Sequence, residues 1–227
     1  MKRRSLVFVI GRILAIPLFK LLFHYKVRGK KNLPKKGAYI VCSNHLSNYD
    51  PMLLSVTQKR QIYYMAKKEL FENKWGAAII RELGAFPVDR GAGDGEAIRL
   101  AEEVVQDGRL LGIFIEGTRS KTGEFLRPKS GAAMVAFQTQ TPVIPVCITP
   151  KEQKIKLFQR VTISWGTPLS IEELGLQNGT PTTFRNASRR IMDEIKLLRE
   201  KERTSRCIVF CGVWHRFLSV RCTVSVW

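Results

Sequence analysis

Leu110-Leu111-Gly112-Ile113-Phe114-Ile115, followed at once by Glu116-Gly117-Thr118-Arg119-Ser120, is the stretch on which the fold turns. Its first half is almost wholly apolar and too short for a typical helix, so it reads as a strand buried on both faces. A polar loop then runs from Glu116 to Lys129. Outward from this run, short apolar segments alternate with longer helical ones. Strands are expected over 38–42, 61–66, 85–88, 143–148 and 161–165. Helices are expected over 51–57, 69–83, 96–106, 131–140 and 183–203. Pro51 suits a first helical position, and Gly84 is a fitting stop for the second helix. This alternation predicts an α/β fold: a mixed, mostly parallel central sheet flanked by helices.

The chain has 227 residues, enough for one medium domain, and carries a net charge of +19. A surface this basic needs an anionic partner: nucleic acid, an anionic bilayer or phosphate-bearing substrates. Residues 1–36 hold eleven Lys and Arg, and the first acidic residue is Asp50. Those cations are interleaved with Leu6-Val7-Phe8-Val9-Ile10, Ile13-Leu14-Ala15-Ile16, Leu18-Phe19 and Leu21-Leu22-Phe23. Apolar bulk mixed with cations favours a bilayer surface over nucleic acid, and no nucleic-acid partner is expected. Arg12, Pro17 and Lys20 interrupt the run and argue against a simple membrane span. Three units follow: a membrane-associating amphipathic helical segment (1–24), the main domain (25–203) and an atypical tail (204–227) that reads as poorly packed, membrane-touching or disordered. Arg12 also argues against a cleaved signal peptide. Cys42 and Cys147 fall in apolar runs, where free thiols are common, so a reducing cytoplasmic setting fits better than a disulfide framework. The spacing of Cys207, Cys211 and His215 lacks a familiar zinc pattern, and no metal is expected.

Of three histidines, only His45 stands just after a strand, where open α/β sheets bind ligands. Histidine is the usual general base near neutral pH. Asp50 follows five residues later. On a continuous helix that spacing is about 140° off-face, so the two would not meet. A turn over Asn44–Asn48 would fold His45 back toward Asp50, whose carboxylate could then orient the ring. The plainer alternative is that Asp50 caps the helix opened by Pro51. Arg90 follows one strand and Arg119 another, so both should emerge on the His45 edge, where a guanidinium can hold phosphate through paired donors. Gly117 permits close backbone approach, and Thr118 and Ser120 add hydroxyl donors. Glu116 and Arg119 could instead pair with each other. Lys67 lies at another strand-to-helix junction, where a solvated helix start is the competing reading.

Four blocks in order resemble the 1-acylglycerol-3-phosphate O-acyltransferase family. They are Asn44-His45-x4-Asp50, Gly84-x5-Arg90, Glu116-Gly117-Thr118-Arg119 and Val143-Ile144-Pro145-Val146. The resemblance covers roughly residues 25–200. The family usually has Pro before the third block, whereas Ile115 stands here, and nothing beyond Arg206 matches. The resemblance implies acyl transfer from acyl-CoA or acyl-acyl-carrier protein to 1-acylglycerol 3-phosphate (lysophosphatidic acid), giving phosphatidic acid, without a cofactor. His45 would be the base and Asp50 its orienting partner. Arg90, Arg119, Glu116, Gly117, Thr118 and Lys67 would bind the acceptor. The expected location is the cytoplasmic face of the cell membrane, peripheral or monotopic. Alternatives are another acceptor, such as glycerol 3-phosphate or a lyso-aminolipid, or a non-catalytic basic membrane- or nucleic-acid-binding protein. A mechanism with Cys42 as acyl-carrying nucleophile is a further rival. The residues do not distinguish the donor carrier, the acyl-chain length or the oligomeric state.

Overall fold

A computed structural model describes residues 6–88 and 94–215, with the backbone alone for residues 94 and 206–215. Seven strands form one sheet: β1 (Lys26–Arg28), β2 (Tyr39–Ser43), β3 (Ile62–Lys67), β4 (Ala85–Val88), β5 (Leu110–Phe114), β6 (Val143–Pro150) and β7 (Val161–Trp165). Their order is β1-β7-β6-β2-β5-β3-β4. From β6 to β4 all neighbours run parallel. β7 turns antiparallel to β6, and β1 lies parallel to β7 at the edge. The fold is therefore the mixed, mostly parallel α/β sheet that the alternating pattern implies.

Helices α1 (Leu6–Phe23), α2 (Asp50–Thr57), α3 (Lys74–Glu82), α4 (Asp94–Gln106), α5 (Gly131–Thr139) and α6 (Pro181–His215) complete the fold. β2 sits at the centre and alternates its side chains between two cores. Ile40 and Cys42 join Leu111, Ala133, Ala136, Cys147, Ile191 and Ile195 on the face covered by α4, α5 and α6. Val41 joins Leu53, Leu54, Ile144, Trp165 and Phe23 on the face covered by α1 and α2. Because both faces are covered, the central strands are apolar throughout, and that is what makes them readable in the sequence.

Three elements differ from expectation. β1 is an addition, a short edge strand whose two cations are exposed. The helix expected over 69–83 is divided: a 3-10 turn (Lys68–Phe71) comes first, and α3 begins only after Asn73. The Asn73 side chain accepts from the Trp75 and Gly76 backbone N–H groups at 3.0 Å, which caps α3. α6 runs on from the expected end at 203 to His215.

Candidate active site

The site is built at the C-terminal edge of the parallel strands. In register, Ser43 of β2 sits between Phe114 of β5 and Val146 of β6, so the chain leaves β2 and β5 side by side. Asn44 pins the exit from β2. Its amide donates to the Ile148 carbonyl at 3.0 Å and accepts the Ile148 N–H at 2.8 Å. The side chain thus imitates a ladder partner, and it is fully buried. The His45 carbonyl then accepts the Ser120 N–H at 2.8 Å, joining this segment to the loop after β5.

Beyond His45 the chain turns rather than entering a helix. Asp50 Oδ2 lies 2.7 Å from His45 Nδ1. The same oxygen accepts the Leu46 N–H at 2.6 Å and the Ser47 N–H at 2.8 Å. Asp50 therefore spends its carboxylate on the preceding turn and not on α2, whose N-cap, Tyr49, makes no side-chain cap bond. Asp50 is fully buried, and its Oδ1 has no hydrogen-bond partner among the described residues. A buried carboxylate accepts rather than donates, so the His45 proton belongs on Nδ1, and the Nε2 lone pair is left free.

The His45 ring is also supported from below. It stacks on Phe114 with centroids 3.9 Å apart and planes 13° from parallel. Phe114 stacks in turn on Tyr64 at 5.8 Å. Tyr64 has room only because residue 112 is glycine: a Cβ there would lie 2.1 Å from the Tyr64 ring. Sequence reasoning missed Phe114, Tyr64 and the reason for Gly112. The glycine inside an apolar strand was the available signal, since it marks a close approach.

The loop after β5 divides its residues by side. Gly117 has φ +70°, in the left-handed region, and its N–H donates to the Phe114 carbonyl at 2.9 Å. Gly117, Thr118 and Arg119 are exposed. Glu116 is buried, so it does not form the surface pair with Arg119 that its spacing allowed. Among the described residues no hydrogen bond of good geometry reaches either Glu116 oxygen, although the Leu126 and His45 N–H groups lie close enough to favour its charged form. Burial pushes its pKa up to about 7. The Leu126 N–H, the Arg199 charge and the His45 N–H favour the carboxylate, and Asp50 opposes it. Arg199, on α6, was also missed. It is buried, donates to the Gly123 carbonyl at 3.0 Å and lies 3.6 Å above the Phe125 ring. The Gly123 N–H donates to Ser120 Oγ at 3.1 Å, so α6 braces the whole loop. Ile115, which stands just before Glu116, donates its N–H to the Ser43 carbonyl at 3.0 Å. Proline could not make that bond.

Lys67 ends β3 as an exposed residue and pairs in register with Val88, the end of β4. Arg90 lies outside the described residues. The described part of its strand ends at the same sheet edge as His45. Cys42 is fully buried, and desolvation pushes its thiol pKa far up, which disfavours the thiolate that a nucleophile needs.

A family model described as Acyltransferase matches residues 24–149. The chain belongs to the acyltransferase family. The matched region takes in α2, the His45 turn, the loop after β5 and nearly all of β6. The chain is 35% identical over 136 residues to the 1-acyl-sn-glycerol-3-phosphate acyltransferase of Bacillus subtilis (strain 168), covering 60% of this chain and 67% of that protein. It is 31% identical over 167 residues to the enzyme of the same name from Streptococcus pneumoniae (strain ATCC BAA-255 / R6), covering 72% and 61%. The chain thus spans about two thirds or less of these relatives. In fold it is similar to the 1-acyl-sn-glycerophosphate (LPA) acyltransferase PlsC from Thermotoga maritima. The TM-score is 0.69 at 24% identity, covering 89% of this chain and 84% of that one.

Proposed function

We propose that this acyltransferase moves a fatty acyl group from acyl-CoA or acyl-acyl-carrier protein to the free hydroxyl of 1-acylglycerol 3-phosphate, giving phosphatidic acid. The observation that carries this reading is His45. Its Nδ1 is held by a buried carboxylate at 2.7 Å, which leaves the Nε2 lone pair to take a proton, and its segment is bonded through Ser120 to the loop that carries the exposed Gly117–Arg119. The names of the similar bacterial proteins supply the substrate class.

Nε2 of His45 takes the acceptor's hydroxyl proton as that oxygen attacks the thioester carbonyl. Asp50 stabilises the imidazolium so formed and keeps the ring in one tautomer. Collapse of the tetrahedral intermediate breaks the C–S bond. The departing thiolate takes the proton from His45, leaving a neutral base and a free thiol. General-base help contributes about 10²–10⁴-fold, and holding two substrates together contributes much of the remainder. Arg119 and Thr118, with Arg90 and Lys67, bind the acceptor phosphate, and Gly117 lets the backbone approach it. Glu116, being buried, acts by shaping that loop rather than by touching phosphate. His45→Ala should remove acyl transfer in a lipid-dispersed assay while the melting temperature holds. A near-normal rate would defeat the proposal.

α1 suits an acceptor that lives in a bilayer. It is the one helix among the described residues long and apolar enough to cross a membrane. Yet Arg12 Nε donates to the Gln58 carbonyl at 2.9 Å and Lys20 Nζ to the Tyr25 carbonyl at 2.7 Å. Phe8, Phe19 and Phe23 are buried, whereas Leu6, Ile10, Ile13, Leu14, Leu18 and Leu21 are exposed. The helix folds its cations and aromatics onto the protein and turns aliphatic side chains outward. That arrangement fits a monotopic seat on the cytoplasmic leaflet, where anionic lipid attracts the basic surface.

A further inference from the structure

We propose that the β6–β7 loop, residues 151–160, is a second membrane contact that places Leu157 and Phe158 among the acyl chains of an anionic leaflet. This rests on the interfacial acyl-transfer reading above and adds a contact apart from α1. Leu157 is 47% exposed and Phe158 is 63% exposed. Phe158 also has φ +60°, a left-handed conformation that bulky L-residues seldom adopt. The Phe158 N–H bonds the Leu22 carbonyl, but a glycine would make that bond at φ +60° without the strain, so the exposed ring itself has no advantage inside the isolated chain. It has one if the ring enters an apolar phase.

The loop is held in place for that purpose. The Phe158 N–H donates to the Leu22 carbonyl at 2.5 Å, which sets the loop tip beside the C-terminal end of α1. Leu18 and Leu21 of α1 are exposed there, so the apolar surface extends onto the loop. The Lys151 N–H donates to the Arg160 carbonyl at 2.9 Å and closes the base. Ile155 packs on the core cluster that contains Phe19 and Phe23.

Charge selects the partner. The loop carries Lys151, Lys154, Lys156 and Arg160 against one acidic residue, Glu152, which bonds Lys156 and Gln159. Lys151, Glu152, Gln153, Lys154 and Lys156, with Arg203 of α6, line an open cleft of about 490 Å³ at the loop. An exposed apolar tip on a loop of net positive charge, beside a cleft lined by four cations, matches acyl chains for the tip and headgroup phosphates for the cations. The loop springs from β6, which Asn44 ties to the His45 segment, so docking would hold the site at the lipid surface.

The test is co-flotation of the full chain with phosphatidylglycerol–phosphatidylethanolamine vesicles, and separately with phosphatidylcholine vesicles. The double variant Leu157→Ser, Phe158→Ser should bind anionic vesicles roughly tenfold or more weakly, the loss expected from exposing two apolar anchors to water. Phe158→Gly should bind several-fold more weakly while its melting temperature holds or rises, because glycine accepts φ +60°. A merely structural role would lower both. Binding of both variants within twofold of the parent would overturn the proposal. So would a melting loss in Phe158→Gly that matches its binding loss. Acyl transfer to a short-chain lysophosphatidic acid below its micellar concentration runs in parallel. Inactivity of the parent chain there would count against the catalytic reading and leave the vesicle result standing.

Discussion

Asp50 Oδ2 holds the His45 ring at 2.7 Å while accepting two backbone N–H groups from the turn between them, Leu46 and Ser47. One oxygen thus sets both the ring and the turn that brings the ring to it. Asp50→Asn should separate these roles from mere packing, because it keeps the volume but removes the charge. Its amide oxygen must stay where it accepts the Leu46 and Ser47 N–H groups, so the ring keeps its tautomer but loses the negative charge that stabilises the imidazolium. The rate kcat should fall by about 10²-fold or more, within the range that general-base help supplies. Steady-state acyl transfer alongside a thermal melt checks this. A loss below tenfold in a folded protein would rule out an electrostatic role for Asp50.

Gly112 determines whether the stack beneath His45 can form. A Cβ there would meet the Tyr64 ring at 2.1 Å. Gly112→Ala should force Tyr64, and with it Phe114, out of place. The expected destabilisation is about 1–3 kcal/mol, as for an overfilled core. Urea unfolding measures it. Acyl transfer should fall further than the stability loss explains, since His45 loses its floor.

Glu116 gives the chain a titration near neutrality. Its pKa is raised to about 7 chiefly by burial. The folded state therefore binds a proton that the unfolded state releases at lower pH. Its contribution to stability is fully present below the ordinary carboxylate range and is lost as pH rises through about 7. Glu116→Gln mimics the protonated form. The melting temperature of the variant relative to the parent should rise between pH 5 and pH 8. A difference that stays flat over that range would show that Glu116 is ionised throughout.

Cys42 tests the rival route directly. It is fully buried in β2, and burial disfavours its thiolate. Cys42→Ala should keep acyl transfer within a few-fold, with a modest stability loss from the deleted sulfur. Abolished turnover in a folded variant would establish an acyl-carrying cysteine and overturn the proposed role of His45.

The strands were legible wherever apolar residues ran together. β2, β5 and β6 are buried on both faces, so their sequences show little else, whereas β7 is read from the alternation of Val161, Ile163 and Trp165 with the buried Thr162 and Ser164. β1 was not legible, because Lys26 and Arg28 at a sheet edge look like loop residues. The division before α3 was not legible either: helical periodicity continues through Asn73, and only its cap bonds reveal the start. The spacing of His45 and Asp50 excluded a helical pairing but left a turn and a helix cap both open.

By itself the sequence determined the α/β class, the basic and apolar first segment, and which polar residues follow which strands. These are local properties, written in periodicity and composition. Tertiary structure alone decided that Asp50 serves the turn and not α2, that Glu116 faces inward while Arg119 faces out, and that Arg199 from a distant helix braces their loop. Those outcomes depend on which strands become neighbours and on what then covers their ends. Burial and hydrogen-bond partners are set by the order of the strands in space, and no window along the chain contains that order.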